Sequence, residues 1–254
     1  MNTLWHIELS HYNEKARWAL DYKGVPYRLR TPMPGLHGAR ALIETRGKQR
    51  RLPVLELEGR RIGDSTAIIA ALEAHTPEPP LYPADPAERA RALELEDYFD
   101  EELGPDIRRF GWHHLLADPD AAATALFRGQ SPVRERVLRR TFGVAKLSVK
   151  ADYGIDGDSD AEARSAILAV MDRLEAELDG ARYLVGDAFG VADLTAASLF
   201  TPLIRPPERP FLPDAVSPPL EVFGDELMAR PGGEWVLDMY RRHRGAYVGA
   251  PALA

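Results

Sequence analysis

Two short segments in the first 75 residues place polar groups where a helix begins, and a third, between them, carries an arginine and an X-Pro bond. Ser10 and Asn13 lie in Leu9-Ser10-His11-Tyr12-Asn13-Glu14-Lys15-Ala16-Arg17, at the entry to a helical stretch. The free N–H groups and positive dipole end of a helix favour an anion, so a hydroxyl there either caps the helix or helps to hold a negative ligand. Asp64-Ser65 occupies the same kind of position ahead of Ile68, Ile69 and Leu72. Between the two, Arg51-Leu52-Pro53 supplies a cation for carboxylates and an X-Pro bond capable of the cis form. The chain has no cysteine, which removes disulfides, thiolate zinc sites, iron–sulfur clusters and a protein thiol nucleophile together. Trp112-His113-His114 brings two imidazoles together, but adjacent histidines on a helix point in different directions, so no metal site is expected.

The elements that must position these groups are legible from pattern. Thr3–Leu9 reads as a strand, Glu14–Lys23 as a helix closed by Gly24, and Tyr27–Arg30 as a second strand after Pro26. Ala39–Arg46 reads as a helix ended by Gly47. Val54–Leu57 and Arg60–Gly63 flank a tight turn at Glu58-Gly59, and a helix follows from Asp64-Ser65. The order is βαβ followed by ββα. Thr76–Pro86 holds five prolines and reads as a linker between 1–76 and an all-helical 87–254, with 77–86 as the connection. In the second part Asp160–Leu178 is the clearest helix, with Ser159 and Glu162 expected to form a capping box. Seven prolines between Pro202 and Pro219 predict a loop or extended cover, and Glu234–His243 a last helix.

Composition narrows the partners. Charged residues are 28% of 254 and the formal charge is −7, which disfavours nucleic acid. No stretch is apolar enough to span a bilayer, and the first residues lack the pattern of a secretory signal, so the expected location is cytoplasmic. Glu94–Asp106 carries seven acids and no base, and Arg128–Lys150 seven bases and one acid. These predict two solvated helix faces that attract each other weakly, or, for the basic run, recognition of an anionic substrate or a dimer partner.

Taken in order and at these intervals, the segments resemble the glutathione S-transferase family. The Ser10 turn is similar to the active-site turn of its serine- and cysteine-type members. Arg51-Leu52-Pro53-Val54-Leu55 resembles its cis-proline motif, and Gly63-Asp64-Ser65-Thr66-Ala67-Ile68 its acidic-Ser motif. Gly186-Asp187-Ala188-Phe189-Gly190-Val191-Ala192-Asp193 is similar to a helix-capping segment of the second domain. The resemblance implies an α/β thioredoxin-like domain followed by an all-α domain, usually as a homodimer.

It also implies roles. Glutathione would bind as a co-substrate with its thiolate at Ser10, and Asn13 would act as a second donor or as a cap. Arg51, Leu52, Pro53, Asp64 and Ser65 would hold the rest of the tripeptide. A serine cannot serve as base, but its hydroxyl can donate to the sulfur, and each unit of thiol pKa depression corresponds to about 1.4 kcal/mol. His11, Tyr12, Trp112 and His113 are expected to line the pocket of an electrophilic second substrate. His11 stands where relatives carry proline, and Asn13 where many carry Cys or Ser. These departures keep a second reading open, a glutathione-fold module that binds a ligand or protein without turnover. A different low-molecular-weight thiol is a third.

Overall fold

The computed structural model describes residues 1–254 except 34, 119–121, 123–135, 137–139, 141–142, 144–145, 148, 214–215, 246–248 and 252–254. The first part runs β1 (Asn2–Trp5), α1 (His11–Tyr22), β2 (Tyr27–Arg30), α2 (His37–Glu44), β3 (Val54–Leu57), β4 (Arg60–Gly63) and α3 (Ser65–His75). β1 pairs parallel with β2, Leu4 against Leu29, and antiparallel with β3, Leu4 against Leu55. Glu58 and Gly59 both have positive φ (50° and 79°), which turns β3 into β4. A short β5 (Ala250–Pro251) joins the free side of β2, giving the order β4-β3-β1-β2-β5. Nothing in the local sequence signals that last strand.

No helix or strand occurs between α3 and α4 (Pro86–Tyr98). A π-helical turn (Phe99–Leu103) then leads into α5 (Gly104–Ala117), followed by α6 (Ser159–Leu178), α7 (Val191–Ile204), α8 (Pro218–Met228) and α9 (Pro231–His243). α7 is buried along almost its whole length and packs on α1, so one apolar core runs through both parts. Trp18 of α1 is fully buried, stacks on Phe189 and donates its indole N–H to the His243 carbonyl at 3.0 Å. This is a thioredoxin-like domain with a helical second domain.

Three expectations are corrected. β1 stops at Trp5, because the carbonyls of residues 7 to 9 leave the sheet for arginine side chains. The Ser159–Glu162 capping box does not form: Asp158 is the N-cap, and the Ser159 hydroxyl turns back to donate to the Asp156 carboxylate at 2.8 Å. The second proline cluster is not all loop. α7 continues through Pro202, and the carbonyl of Ser198, deprived of its usual N–H partner, accepts the Thr201 hydroxyl at 2.6 Å instead. Pro218 and Pro219 open α8, where a missing N–H costs nothing.

Candidate functional site

The turn between β1 and α1 is held by guanidinium groups. Arg17, fully buried, donates to the carbonyls of Ile7 at 3.4 Å and Glu8 at 3.0 Å. Arg209, also buried, donates to the Leu9 carbonyl at 2.9 Å. Three successive carbonyls are thus fixed just ahead of Ser10. Arg17 also donates to His6 Nδ1 at 2.8 Å, which makes Nδ1 the acceptor and leaves Nε2–H to donate to Thr31. Burial, reinforced by Arg17, pushes the His6 imidazole down to about 2, so it is neutral.

Ser10 is the N-cap of α1 with extended backbone, and is partly exposed. Its Oγ accepts the Asn13 N–H over a long 3.4 Å, and its O–H has no protein acceptor among the described residues. Asn13 plays a different part from the donor role expected for it. It is 0% exposed, with Oδ1 accepting from the Ile7 N–H at 3.2 Å and Nδ2 donating to the Leu52 carbonyl at 3.3 Å. It therefore ties the Ser10 turn to the proline loop rather than facing a ligand.

The Leu52-Pro53 bond is cis. Leu52 N–H finds no acceptor among the described residues, which leaves this backbone edge open for a peptide-like ligand. The exposed Arg51 just before it has its carbonyl fixed by the Gln49 carboxamide at 2.8 Å. The same carboxamide lies against Gly63, so close that a Cβ there would meet its Oε1 at 2.5 Å. Sequence reasoning missed Gln49, whose only cue is the side-chain-free Gly63 before Asp64. Asp64 has φ 76°, uncommon for a residue with a side chain and worth about 1–3 kcal/mol of strain. Its Oδ1 accepts the N–H groups of Thr66 and Ala67 at 2.9 and 3.2 Å. Those amides are therefore not free for a ligand carboxylate, contrary to expectation, whereas Oδ2 makes no hydrogen bond among the described residues. Ser65 is buried beside it.

A buried ionic cluster joins these segments. Lys15 Nζ lies 2.5 Å from Asp100 Oδ2, 2.9 Å from Thr66 Oγ1 and 2.9 Å from Glu96 Oε1. Burial opposes the charge of Lys15, but Asp100 and Glu96 overcome it and hold the ammonium above its usual range. Burial pushes the Glu96 carboxyl up despite Lys15. Lys15 directs its hydrogens at Thr66 and Asp100, so Glu96 receives charge without a well-aimed bond. The two acids are hence not part of a solvated face. Most of the basic run 128–150 lies outside the described residues.

The four residues expected in a second-substrate pocket divide. His11 is 5% exposed; its Nε2–H donates to the Gly104 carbonyl at 3.1 Å, and burial, aided by Arg108 and Arg209, pushes it down to about 3. It is a neutral strut between the domains. Tyr12 donates its hydroxyl to the Asp100 carbonyl at 2.6 Å, and burial, with Asp100, raises its pKa, so the phenol stays protonated. Both use carbonyls at the π-helical turn and the start of α5. Trp112 stacks on Tyr153 with ring centres 6.1 Å apart, and Arg108 spans from Tyr153 to the Tyr12 ring. His113 is not brought to this group; its ring lies against His114, which pairs with Asp160 at 2.6 Å. Among the described residues no three His, Asp or Glu side chains are placed to share a metal ion.

The site thus sets an open cis-proline edge and a helix N-terminus of a thioredoxin-like domain against a helical domain. Family models agree: "Glutathione S-transferase, N-terminal domain" matches residues 4–80 and "Glutathione S-transferase, C-terminal domain" residues 142–231. The chain belongs to the glutathione S-transferase family. A probable glutathione S-transferase of Nicotiana tabacum is 23% identical over 76% of this chain and 65% of its own length. The chain spans less than two thirds of the curated relatives it matches. The β-etherase LigF of Sphingobium sp. strain SYK-6 shares the fold at TM-score 0.61 and 21% identity, over 93% of this chain and 98% of that one. So does a glutathione S-transferase of Methylobacterium radiotolerans solved in complex with glutathione sulfonate, at TM-score 0.55 and 24% identity over 93% and 94%.

Proposed function

We propose that this protein is a glutathione transferase in which bound glutathione thiolate attacks an electrophilic small molecule, with Ser10 as the side chain that steadies the sulfur. The observation that carries this reading is the unused Ser10 O–H at the N-terminus of α1, in a turn whose carbonyls are clamped by Arg17 and Arg209. Residues 1–76 would bind the tripeptide, 77–86 would link, and 87–254 would shape the second pocket. Glutathione would lie extended along the proline loop, its cysteinyl amide and carbonyl pairing with Leu52 and Arg51 meeting a carboxylate. Asp64 Oδ2 would take the γ-glutamyl ammonium, with Ser65 beside the adjacent carboxylate. The thiol loses its proton to solvent, the helix end and Ser10 favour the resulting anion, and the sulfur bonds to the electrophilic carbon as a leaving group departs with its electron pair or, in an enone, as the π pair moves to the enolate, which solvent protonates. Homodimerisation and a cytoplasmic location are carried by family membership alone.

The test is titration of glutathione by calorimetry, followed by turnover on aryl halides, enones, epoxides and a β-aryl ether. Ser10→Ala is expected to raise the pKa of the bound thiol by about 1–2 units, a loss of about 1.5–3 kcal/mol for one bond to an anion. Turnover should fall with the thiolate fraction. Glutathione binding without turnover on any of these, and no change in Ser10→Ala, would favour a non-catalytic binding module instead. The full burial of Asn13, which leaves the sulfur one side-chain donor, is the feature that speaks for that second reading.

A further inference from the structure

Arg108 lies on α5, outside the segments that would hold the tripeptide. It projects from α5 between two aromatic faces, its guanidinium carbon 5.9 Å from the centre of the Tyr12 ring and 4.6 Å from that of Tyr153. Its Nε is shut off from solvent and makes no hydrogen bond among the described residues. Three acids of this region are paired with other cations, Asp100 with Lys15, and Asp106 and Glu162 with Arg109. The fully buried cations each have a partner, although Arg209 Nε and both Nη atoms of Arg244 also make no hydrogen bond among the described residues. Lys15, Arg17 and Arg244 each pair with a carboxylate, and Arg209 donates to two carbonyls. Among the described residues Arg108 pairs with no acid, and the nearby Arg51 adds positive charge to its surroundings.

Burial also pulls the Arg108 guanidinium below its usual range, which is what desolvation without a counter-ion does. A guanidinium in this state is completed by a ligand that brings the negative charge, and its planar fork suits a carboxylate. Tyr12, Tyr153 and Trp112 gather three aromatic rings around the Arg108 guanidinium. We infer that the electrophilic substrate is an aromatic compound bearing an anionic group, a carboxylate foremost, that pairs with Arg108 while its ring lies against Tyr153 and Trp112. This rests on the transferase reading above and names the class of its second substrate. The same charge could instead serve a carboxylate of glutathione itself, and the experiment separates the two.

The full-length protein is titrated by calorimetry with 4-nitrobenzoate, with nitrobenzene as its uncharged counterpart, and with glutathione. Each is repeated on Arg108→Gln and Arg108→Lys, with circular dichroism confirming the fold. The expected result is a preference of about tenfold or more for 4-nitrobenzoate, lost in Arg108→Gln, partly kept in Arg108→Lys, with glutathione affinity within about twofold throughout. Equal binding of the two nitro compounds by the unaltered protein overturns the inference without recourse to any variant. So does a preference that survives in Arg108→Gln, or a loss confined to glutathione, which would give Arg108 to the tripeptide. If glutathione fails to bind while the charge preference holds and depends on Arg108, the anion site stands and the transferase reading falls.

Discussion

Replacing Lys15 by Met tests how the two domains are fastened around the site. The methionine keeps most of the apolar stem and removes the ammonium, leaving Glu96 and Asp100 near each other with Thr66 as the remaining donor. Lys15 and Glu96 are fully buried and Asp100 is 14% exposed, so water cannot replace the lost partner at Glu96. Breaking a buried ion pair on one side costs about 3–5 kcal/mol. Set against a usual total of about 5–15 kcal/mol, that is a large fraction of the stability. Urea unfolding followed by far-ultraviolet circular dichroism reads it directly, and the continuous core predicts one transition. Adding Glu96→Gln to the variant should recover part of the loss, since an uncompensated carboxylate is the source of the cost. Lowering the pH should also help Lys15→Met relative to the parent, because burial makes the orphaned Glu96 carboxyl hold its proton more tightly when folded than unfolded. A loss below about 1 kcal/mol, with no recovery from Glu96→Gln, would mean that the cluster is solvated and the reasoning wrong.

Acid should weaken the fold through His11. The folded imidazole titrates at about 3 and the unfolded one at 6.5, so the unfolded state binds the extra proton between those values. Stability is then present above 6.5 and lost as the pH falls toward 3, by up to about 2 kcal/mol at about pH 5. His6 acts in the same sense, and Asp193, raised by burial to about 7, in the opposite one. His11→Gln isolates the contribution: its urea midpoint should decline less than the parent's from about pH 7 to about pH 5, and equal slopes would remove His11 from the account. Gly104→Ala should destabilise by about 1–3 kcal/mol, because a Cβ there would lie 2.0 Å from the Tyr12 hydroxyl, itself pinned to Asp100. The loss should shrink in a Tyr12→Ala background, and additive effects would show that the two do not touch.

The parts of this protein written in short-range pattern were readable from the sequence. The β2, β3 and β4 boundaries, the Asp64 cap and the proline loop follow from alternation, turn residues and caps that act within a few positions. What could not be read depends on partners far away in the chain. Arg209 reaches the Leu9 carbonyl across 200 positions and Arg244 the Glu14 carboxylate across 230, and no periodicity announces either. His11 and Tyr12 looked like pocket residues because their position in the turn was recognised, while the π-helical turn that receives them was not. Glu96 and Asp100 passed for surface acids since seven acids in a row of thirteen residues hide which two face inward. Within the candidate site, therefore, the backbone framework was legible and the side-chain wiring was not.

The strand at Ala250–Pro251 has a consequence for how the molecule is made. Its partner β2 is completed by residue 30, yet Arg28 and Leu29 meet Ala250 and Pro251 only after some 220 further positions have been joined. Throughout synthesis β2 presents bare backbone donors and acceptors to any passing extended segment. Arg28 and Arg30 put positive charges along that margin, an interim guard against mispairing until the late strand docks. Pro251 cannot donate a hydrogen bond, which makes the newly arrived margin a poor template in its turn.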